Sequence, residues 1–409
     1  MRVGVYFGGY SPESGGGHTF EKDILDALVQ LSLESQHEFV IYFLDPATKL
    51  EEIVRDFSKS KIRVHDLLKL DAPENSKSQP VNAPGLFRKR RKFSQQVVLP
   101  ELVDRLQLAV EKMGTQIMWF PTPLSLPVYI PYIATVWDLQ HRLQSWFPEV
   151  GSRQEWPARE AYYSDMLKRA TRIIACNQAG RDEIKLFYQI PDENIRILPH
   201  PAPAIESRLG AEAIQAVLQK YGLTPGFLFY PAQFWAHKNH VNLLIALKIL
   251  KDKYKYQIPL VLVGSDKGNE AYVRKYVNNL GLEEQVHFLG FVPRDELLAL
   301  YQAAFALVYV TFFGPENLPP LEAFALDCPV IASSVSGAKE QFGDAAILVE
   351  PHAPDVIAEA VMNLLESPSQ RQTLIEHGRQ RASQWTSKEF VRGVFAILDD
   401  FESIRRCWE

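Results

Sequence analysis

Residues 312–333 read Phe312-Phe-Gly-Pro-Glu-Asn-Leu-Pro-Pro-Leu-Glu-Ala-Phe324 and then Ala325-Leu-Asp-Cys-Pro-Val-Ile-Ala-Ser333. The pattern predicts a hydrophobic strand, a Gly-Pro turn, the start of a helix and a second strand. A strand that leads into a helix N-terminus presents backbone N–H groups and the positive end of the helix dipole, which together favour phosphate binding. Glu322, about one turn into the helix, can then accept hydrogen bonds from hydroxyl groups such as those of a ribose. An alternative stays open, in which the prolines only start the helix and Glu316 and Glu322 only complement its dipole.

Short apolar runs alternate with helical stretches on both sides of this segment. The strand candidates lie at residues 3–7, 38–44, 116–120, 132–136, 171–176, 226–230, 260–263, 286–289, 306–310 and 330–332. Continuous apolar strands between helices are typical of parallel sheets that are covered on both faces. The sequence therefore predicts an α/β protein with two doubly wound, Rossmann-like domains. Such domains face a central cleft between the carboxyl ends of their sheets, where ligands bind.

The joint between the two domains is predicted at Leu198-Pro-His-Pro-Ala-Pro203, because three prolines in six residues cannot be helical. We expect a first domain over residues 1–203 and a second domain over residues 204–385. A helical segment is predicted over residues 386–409, with the first domain as its candidate packing surface.

Composition narrows the class of protein. A chain of 409 residues with 46% hydrophobic and 23% charged residues is typical of an ordinary globular protein with two domains. The net charge of −5 gives no general basis for nucleic-acid binding. The three cysteines have no metal-ligand spacing, and no Asp-x-Asp motif is present, so we expect reduced thiols, a cytoplasmic location and no required metal.

A polar insertion over about residues 71–95 contains the basic run Arg88-Lys-Arg-Arg-Lys92. One interpretation is a solvated loop. The other is a basic arm that contacts an anionic partner, such as a membrane surface or a phosphorylated acceptor.

Two further segments lie where predicted strands end and helices begin. The loop Gly8-Gly-Tyr-Ser-Pro-Glu-Ser-Gly-Gly-Gly-His-Thr19 contains Gly16 and Gly17, whose missing side chains let a ligand approach the backbone. In the second domain, Lys238 precedes a helix N-terminus, where a cation is unfavourable unless it binds an anion. Gln233 can donate hydrogen bonds to the same anion. A flexible turn and a solvated surface lysine remain the alternatives.

Asp138 and His141 follow the strand at residues 132–136 and are expected at the edge of the cleft. Either residue could orient a substrate or transfer a proton. The alternatives are that Asp138 caps a helix and that His141 is structural.

Together these segments resemble the retaining, nucleotide-sugar-dependent glycosyltransferases of the GT-B fold, in particular glycosyltransferase family 4 (group 1). The resemblance is carried by Leu318-Pro-Pro-Leu-Glu-Ala-Phe with Cys328-Pro-Val-Ile-Ala-Ser, by Val286-His-Phe-Leu-Gly-Phe-Val292 and by Gly337-Ala-Lys-Glu340. It departs from the family pattern at three positions, where Gly314 replaces a glutamate, Gln233 replaces an arginine and Trp137 replaces a histidine.

The resemblance implies a role for each matching residue. Glu322 would bind the ribose, Lys238 the phosphates, and Val292 the base, while the backbone amides of Asn317 and Leu318 would contact the sugar or the diphosphate. Catalytic roles are implied for Lys238, Asp138 and Glu316. The donor set is Gly16, Gly17, Gln233, Lys238, Val292, Asn317, Leu318 and Glu322, and the acceptor-side candidates are His18 and His141.

The implied activity is transfer of a sugar, with retention, from a nucleotide diphosphate to an acceptor hydroxyl, without a cofactor or a metal. The expected acceptor is a carbohydrate or a lipid-linked glycan of a cell envelope, with peripheral membrane contact through the basic run. The alternatives are a non-catalytic subunit that binds a nucleotide sugar and a GT-B epimerase that acts on the nucleotide sugar.

Overall fold

The computed structural model describes residues 1–8, 10, 15–43, 60–67, 92–93, 96–97, 100–205 and 208–408 of the chain. The strands of these residues are β1 (Arg2–Phe7), β2 (Glu38–Phe43), β3 (Ile62–Asp66), β4 (Lys92–Phe93), β5 (Gln96–Val97), β6 (Ile117–Trp119), β7 (Tyr132–Val136), β8 (Arg172–Ala175), β9 (Ile195–Ile197), β10 (Leu228–Pro231), β11 (Leu260–Val263), β12 (Val286–Gly290), β13 (Ala306–Tyr309), β14 (Val330–Ser333) and β15 (Ala346–Val349).

The α-helices of the described residues alternate with these strands. They are α1 (Gly16–Leu31), α2 (Pro100–Met113), α3 (Gln140–Leu143), α4 (Pro148–Gly151), α5 (Glu155–Arg169), α6 (Gln178–Tyr188), α7 (Ala211–Tyr221), α8 (His240–Asp252), α9 (Glu270–Leu280), α10 (Arg294–Ala303), α11 (Leu318–Ala325), α12 (Ala338–Phe342), α13 (Pro354–Glu366), α14 (Pro368–Gln384) and α15 (Ser387–Arg405).

Apart from the antiparallel pair β4 and β5, the described strands form two parallel sheets, as the apolar runs predicted. The first sheet has the order β3-β2-β1-β6-β7-β8-β9, and the second has the order β12-β11-β10-β13-β14-β15. The central strands are buried on both faces, which is why their sequences are continuous apolar runs. The predicted α/β, doubly wound architecture is therefore confirmed.

The strand order fixes where a ligand can bind. β1 pairs with β2 on one side and with β6 on the other, and β10 pairs in the same way with β11 and β13. Open α/β sheets bind ligands at the carboxyl ends of strands where the order reverses in this way. Gly16 begins the helix that follows β1, and Lys238 and Glu316 lie in the segments that follow β10 and β13, so the topology brings these three predicted segments to the switch points.

The last helix of the described residues belongs to the core of the first domain. A capping box formed by Thr386 and Glu389 starts α15, whose Phe395 stacks on Phe39 of β2 and whose Phe390 packs against Phe20 of α1. Within the described residues, the chain thus passes between the sheets once after β9 and again before α15. The two passages are tied together, because Ala202 N–H donates to the carbonyl oxygen of Trp385 (3.0 Å) and Trp385 Nε1 donates to that of Pro199 (2.8 Å).

The basic run Arg88-Lys-Arg-Arg-Lys92 lies outside the described residues, apart from the backbone of Lys92 in the short hairpin of β4 and β5. Among the described residues, no helix combines the length and the apolar character that crossing a membrane requires.

A glycine at the end of β11 allows a close backbone approach beside the cleft. Gly264 has a φ of +151°, and a Cβ there would collide with the carbonyl oxygen of Ala232. We expect Gly264→Ala to destabilise the protein by about 2–4 kcal/mol, through backbone strain and the collision. Urea denaturation measures this loss. The control is Gly210→Ala, since Gly210 has a φ of −70° and open space around its Cβ position; equal stabilities of the two variants would contradict the prediction.

Candidate functional site

A cleft between the two domains contains two adjoining cavities. The first cavity has a volume of about 470 Å³, and the second has a volume of about 570 Å³. Both domains line each cavity, and Trp137, Gln233, Lys238, Glu316 and Asn317 are among the residues that line both. The cavities therefore meet at the loop that follows β10.

The structure brings the predicted donor-binding residues together. All eight line the first cavity, namely Gly16, Gly17, Gln233, Lys238, Val292, Asn317, Leu318 and Glu322. Their binding roles stay predictions, but their placement in one cavity between two domains is a property of the fold.

Lys238 ends a 3₁₀ turn that leads into α8. Its Nζ donates to the hydroxyl of Tyr309 (2.9 Å) and lies 5.2 Å from the centre of that ring. The hydroxyl of Tyr230 donates to the backbone carbonyl oxygen of Lys238. Among the described residues, its ammonium contacts a phenol and has no carboxylate partner. This cation is therefore available to an anionic ligand.

Gln233 lies five residues earlier in the same loop. Trp235 Nε1 donates to its Oε1 (3.0 Å), so the orientation of the amide is fixed. The carbonyl oxygen of this amide is thus engaged inside the loop.

The first residue of α8 is a buried histidine that makes the free energy of unfolding depend on pH. His240 stacks on Phe234, with ring centres 4.6 Å apart, and burial lowers its pKa to about 3. The unfolded chain binds a proton here below about pH 6.5 and the folded chain does not, so His240 lowers stability as the pH falls from 6.5 toward 3. This cost is about 2 kcal/mol at pH 5.

We expect His240→Phe to remove this part of the pH dependence, because a phenyl ring keeps the stacking and does not titrate. Urea denaturation at pH 7.5 and pH 5 compares the two proteins. The variant should lose about 2 kcal/mol less than the wild type between these values. Equal losses would show that His240 is not the group responsible.

The N-terminus of α11 offers fewer N–H groups than a typical helix. Pro319 and Pro320 have none, and the N–H of Asn317 donates to Oε1 of Gln341 (3.0 Å). The backbone N–H of Asn317 is therefore already paired in this structure, and its contact with a ligand stays a prediction. Leu318 N–H and the helix dipole are what this turn provides.

Glu322 is buried in the wall of the first cavity. Its Oε2 accepts from the hydroxyl of Tyr301 (2.8 Å), and its Oε1 lies 3.4 Å from Nη1 of Arg294. Burial raises the pKa of Glu322, although Arg294 and Tyr301 work against this rise. Arg294 Nη1 also donates to the hydroxyl of Thr19 in the first domain (3.2 Å), so a single arginine joins Glu322 to α1.

Glu316 has a different environment, although it is only six residues away. It accepts hydrogen bonds from the backbone N–H and from Nδ1 of His200 (2.9 Å), a residue of the proline-rich joint. Burial raises the pKa of Glu316, against the effect of His200. The carboxylate thus ties the second domain to the joint, and it still lines both cavities.

Cys176, His200 and Glu316 form a cluster that the sequence spacing did not suggest, with potential metal-ligand atoms within 4.8 Å of one another. These are the described residues of the cleft that could hold a metal. Burial raises the pKa of the Cys176 thiol well above its usual value, and the charge of Glu316 adds to this shift. Within this cluster His200 and Glu316 are joined by a hydrogen bond, while Cys176 Sγ donates to the carbonyl oxygen of Val136 (3.6 Å).

The first residue of α1 lies against the second domain. A Cβ at Gly16 would come within 3.0 Å of Leu318 Cδ1, and one at Gly17 would come equally close to the ring of Tyr10. At the other end of the first cavity, Val292 is buried and Phe291 is half-exposed. The first cavity therefore has an apolar end at Val292 and a polar end at Lys238.

Asp138 lines the second cavity and is already paired. Its Oδ1 accepts from Arg159 Nη2 (2.6 Å) and from the backbone N–H of Gln140 at the start of α3 (3.0 Å). Burial works against ionisation, but these two contacts outweigh it and lower the pKa of Asp138. It is consequently a weak base, and its catalytic role stays a prediction.

The acceptor-side role predicted for His141 is wrong, because its side chain is fully buried in the first domain. His141 stacks on Tyr163 (5.5 Å), and its Nε2 contacts the hydroxyl of Tyr188 (3.1 Å). Burial lowers its pKa to about 4. It is a core residue.

His18 is also not placed as predicted. Its Nδ1 lies 2.8 Å from the carbonyl oxygen of Tyr10, and it does not line either cavity. Thr19 lines the first cavity instead, because successive helical residues point about 100° apart.

Three residues of the cleft were missed by the sequence reasoning, namely Arg294, Glu149 and His200. Glu149 of α4 accepts from the backbone N–H of His237 in the second domain (2.9 Å) and also contacts its ring. Arg294 and Glu149 begin or lie within short helices and carry no local motif. Their contacts join parts of the chain that only the fold brings together.

Comparison with known proteins identifies relatives of this chain. Residues 214–381 match the family of glycosyl transferases group 1. O-antigen chain mannosyltransferase B of Escherichia coli is 30% identical over 221 residues, which is 50% of this chain and 58% of the relative. The chain thus spans about half the length of the curated relatives that it matches.

Solved structures of other proteins share the two-domain fold. Sucrose-phosphate synthase from Thermosynechococcus elongatus superposes with a TM-score of 0.72 at 17% identity, covering 99% of this chain and 100% of the other. Anabaena HepE, solved with UDP-glucose, has a TM-score of 0.69 at 15% identity and covers 98% and 100%. The second domain of this chain therefore belongs to the glycosyl transferases group 1 family, within a two-domain GT-B fold.

Proposed function

We propose that the protein is a retaining glycosyltransferase of family 4, which transfers a hexose from a nucleotide diphosphate sugar to an acceptor hydroxyl. One observation carries the proposal. Lys238, which has no acidic partner among the described residues, and the buried Glu322 line one cavity between two doubly wound domains. A cation at one end and a hydroxyl-binding carboxylate near the apolar end suit the phosphates, ribose and base of a nucleotide.

The leaving diphosphate gains negative charge in the transition state. Groups that are already oriented toward that charge stabilise it most, and here they are Lys238, the amide of Gln233, Leu318 N–H and the dipole of α11. We infer attack on the same face as the departing phosphate, with a phosphate oxygen removing the proton of the acceptor hydroxyl. Closure of the domains would exclude water, which would otherwise hydrolyse the donor.

The substrates are proposed from the relatives. An O-antigen mannosyltransferase among them favours a hexose donor and a cell-envelope glycan, carbohydrate or lipid-linked, as the acceptor. We keep contact of residues 88–92 with an anionic membrane as a hypothesis. Deleting this basic run should reduce association with phosphatidylglycerol vesicles, and unchanged association would refute the hypothesis.

The proposal is tested with a thermal-shift panel of UDP, GDP, ADP and their sugars. A ligand at 100 times its Kd adds about 2.7 kcal/mol of stability, which raises the Tm measurably. We expect one base to be preferred and sugar transfer to follow with that donor. If no nucleotide raised the Tm, the first cavity would not be a donor site.

A second candidate is a non-catalytic subunit that binds the nucleotide sugar. The hydrogen bonds that tie Glu316 to His200 favour it, because they occupy a predicted catalytic carboxylate. Slow hydrolysis or transfer of the preferred donor by the purified protein would exclude this candidate.

A further inference from the structure

Four buried polar atoms of the described residues lack a partner and belong to the first-domain wall of the second cavity. Trp137 Nε1, Gln140 Nε2, Glu149 Oε2 and Arg159 Nε have no hydrogen-bond partner within the described part of the chain. All four residues line the second cavity. A buried polar group without a hydrogen bond costs free energy, so this cluster indicates a polar ligand that supplies the missing partners.

Glu149 is the acceptor in this group of donors. Its Oε1 accepts from the backbone N–H of His237 (2.9 Å), and its side chain is only 7% exposed. Burial opposes ionisation, but the hydrogen bonds from His237 outweigh it and lower the pKa of Glu149. The carboxylate is therefore charged, and Oε2 remains for another donor.

The position of Glu149 relative to Lys238 indicates which chemical group of a ligand would lie beside it. His237 precedes Lys238, so Glu149 stands next to the proposed phosphate site but on the side of the second cavity. The nucleoside of a bound donor would occupy the other direction, toward Val292 and Glu322. A carboxylate repels phosphate and accepts hydrogen bonds from hydroxyl groups, and a sugar attached to the phosphates would present hydroxyl groups at this junction.

Resting on the proposed function, we propose that Glu149 is a specificity-determining residue whose Oε2 binds a sugar hydroxyl, with Trp137 Nε1 donating to a neighbouring oxygen. The hydroxyl belongs either to the transferred sugar or to the acceptor sugar, which offer the same chemistry.

Glu149→Gln tests this assignment sharply. The amide keeps an oxygen for His237 and converts only the free acceptor into a donor. We expect kcat/KM for transfer to fall about 10- to 100-fold, while stabilisation by GDP or UDP alone stays unchanged. The control is Glu193→Gln, which removes an exposed carboxylate from the same domain and should leave the activity unchanged.

Two arms identify the source of the hydroxyl. With GDP-mannose or UDP-glucose as the probe, a hydroxyl of the transferred sugar predicts that Glu149→Gln loses the extra Tm increase over the diphosphate and slows donor hydrolysis. A hydroxyl of the acceptor predicts normal hydrolysis and a raised KM for a mannose-terminated oligosaccharide. Trp137→Phe removes the indole N–H donor and keeps an aromatic ring in the cluster. It should change the same measurement as Glu149→Gln, either donor hydrolysis or the KM for the acceptor.

Wild-type behaviour of Glu149→Gln in both arms would overturn the assignment, provided that the wild type transfers sugar. A wild type that neither binds nor transfers any nucleotide sugar would instead overturn the proposed function itself. The two failures are therefore distinguishable.

Discussion

Lys238→Ala is expected to reduce the rate of sugar transfer by about 10²–10³-fold, with a much smaller effect on folding. The ammonium of Lys238 contacts only a phenol among the described side chains, so its removal leaves no buried carboxylate unpaired. The loss should appear mainly in kcat, because the charge that it stabilises develops as the diphosphate leaves. Steady-state kinetics with the preferred donor measure both parameters.

Lys267→Ala is the matched control for Lys238. Lys267 also lines the second cavity, but its Nζ lies 5.9 Å from the ring centre of Trp235. Its removal lowers the positive charge of the cleft by the same amount without touching the proposed phosphate position. If the two variants lost equal activity, the effect would be one of general charge and not of a specific contact.

Glu322→Ala is expected to weaken nucleotide binding about 10- to 100-fold, because a hydrogen bond to a charged group contributes about 1.5–3 kcal/mol. The same change removes the acceptor of the Tyr301 hydroxyl and one of the two partners of the Arg294 guanidinium. The Tm of the free protein should fall as well. Isothermal titration with the preferred nucleoside diphosphate separates the two effects.

Glu322→Gln keeps an acceptor for Tyr301 and therefore isolates the role of the charge. We expect its Tm to stay near that of the wild type, with nucleotide affinity between those of the wild type and the alanine variant. Wild-type affinity in Glu322→Ala would show that the ribose lies elsewhere.

The two-domain architecture and the main lining residues of the cleft could be predicted from local sequence patterns. Continuous apolar runs identify strands that are buried on both faces, and polar residues at the ends of such strands meet at one edge of a sheet. Lys238 and Glu322 each follow a strand in this way. The predicted order of strands and helices is therefore enough to place both residues at the same edge of the second sheet.

The remaining features depend on contacts that no local pattern encodes. Glu149 and Arg294 reach across the cleft from short helical segments of opposite domains. The backbone N–H of Asn317 donates to the side chain of Gln341, which lies 24 positions later in the chain. His141 illustrates the opposite error, because a polar residue after a strand can turn inward when a tyrosine hydroxyl lies there to meet it.

The double passage of the chain between the domains restricts how the cleft can open. Two neighbouring segments joined by hydrogen bonds permit rotation about an axis close to both, whereas a twist or a translation would strain at least one of them. Displacement in a rotation grows with distance from the axis. His200 belongs to one of these segments, so we expect its contact with Glu316 to persist while the walls farthest from it separate.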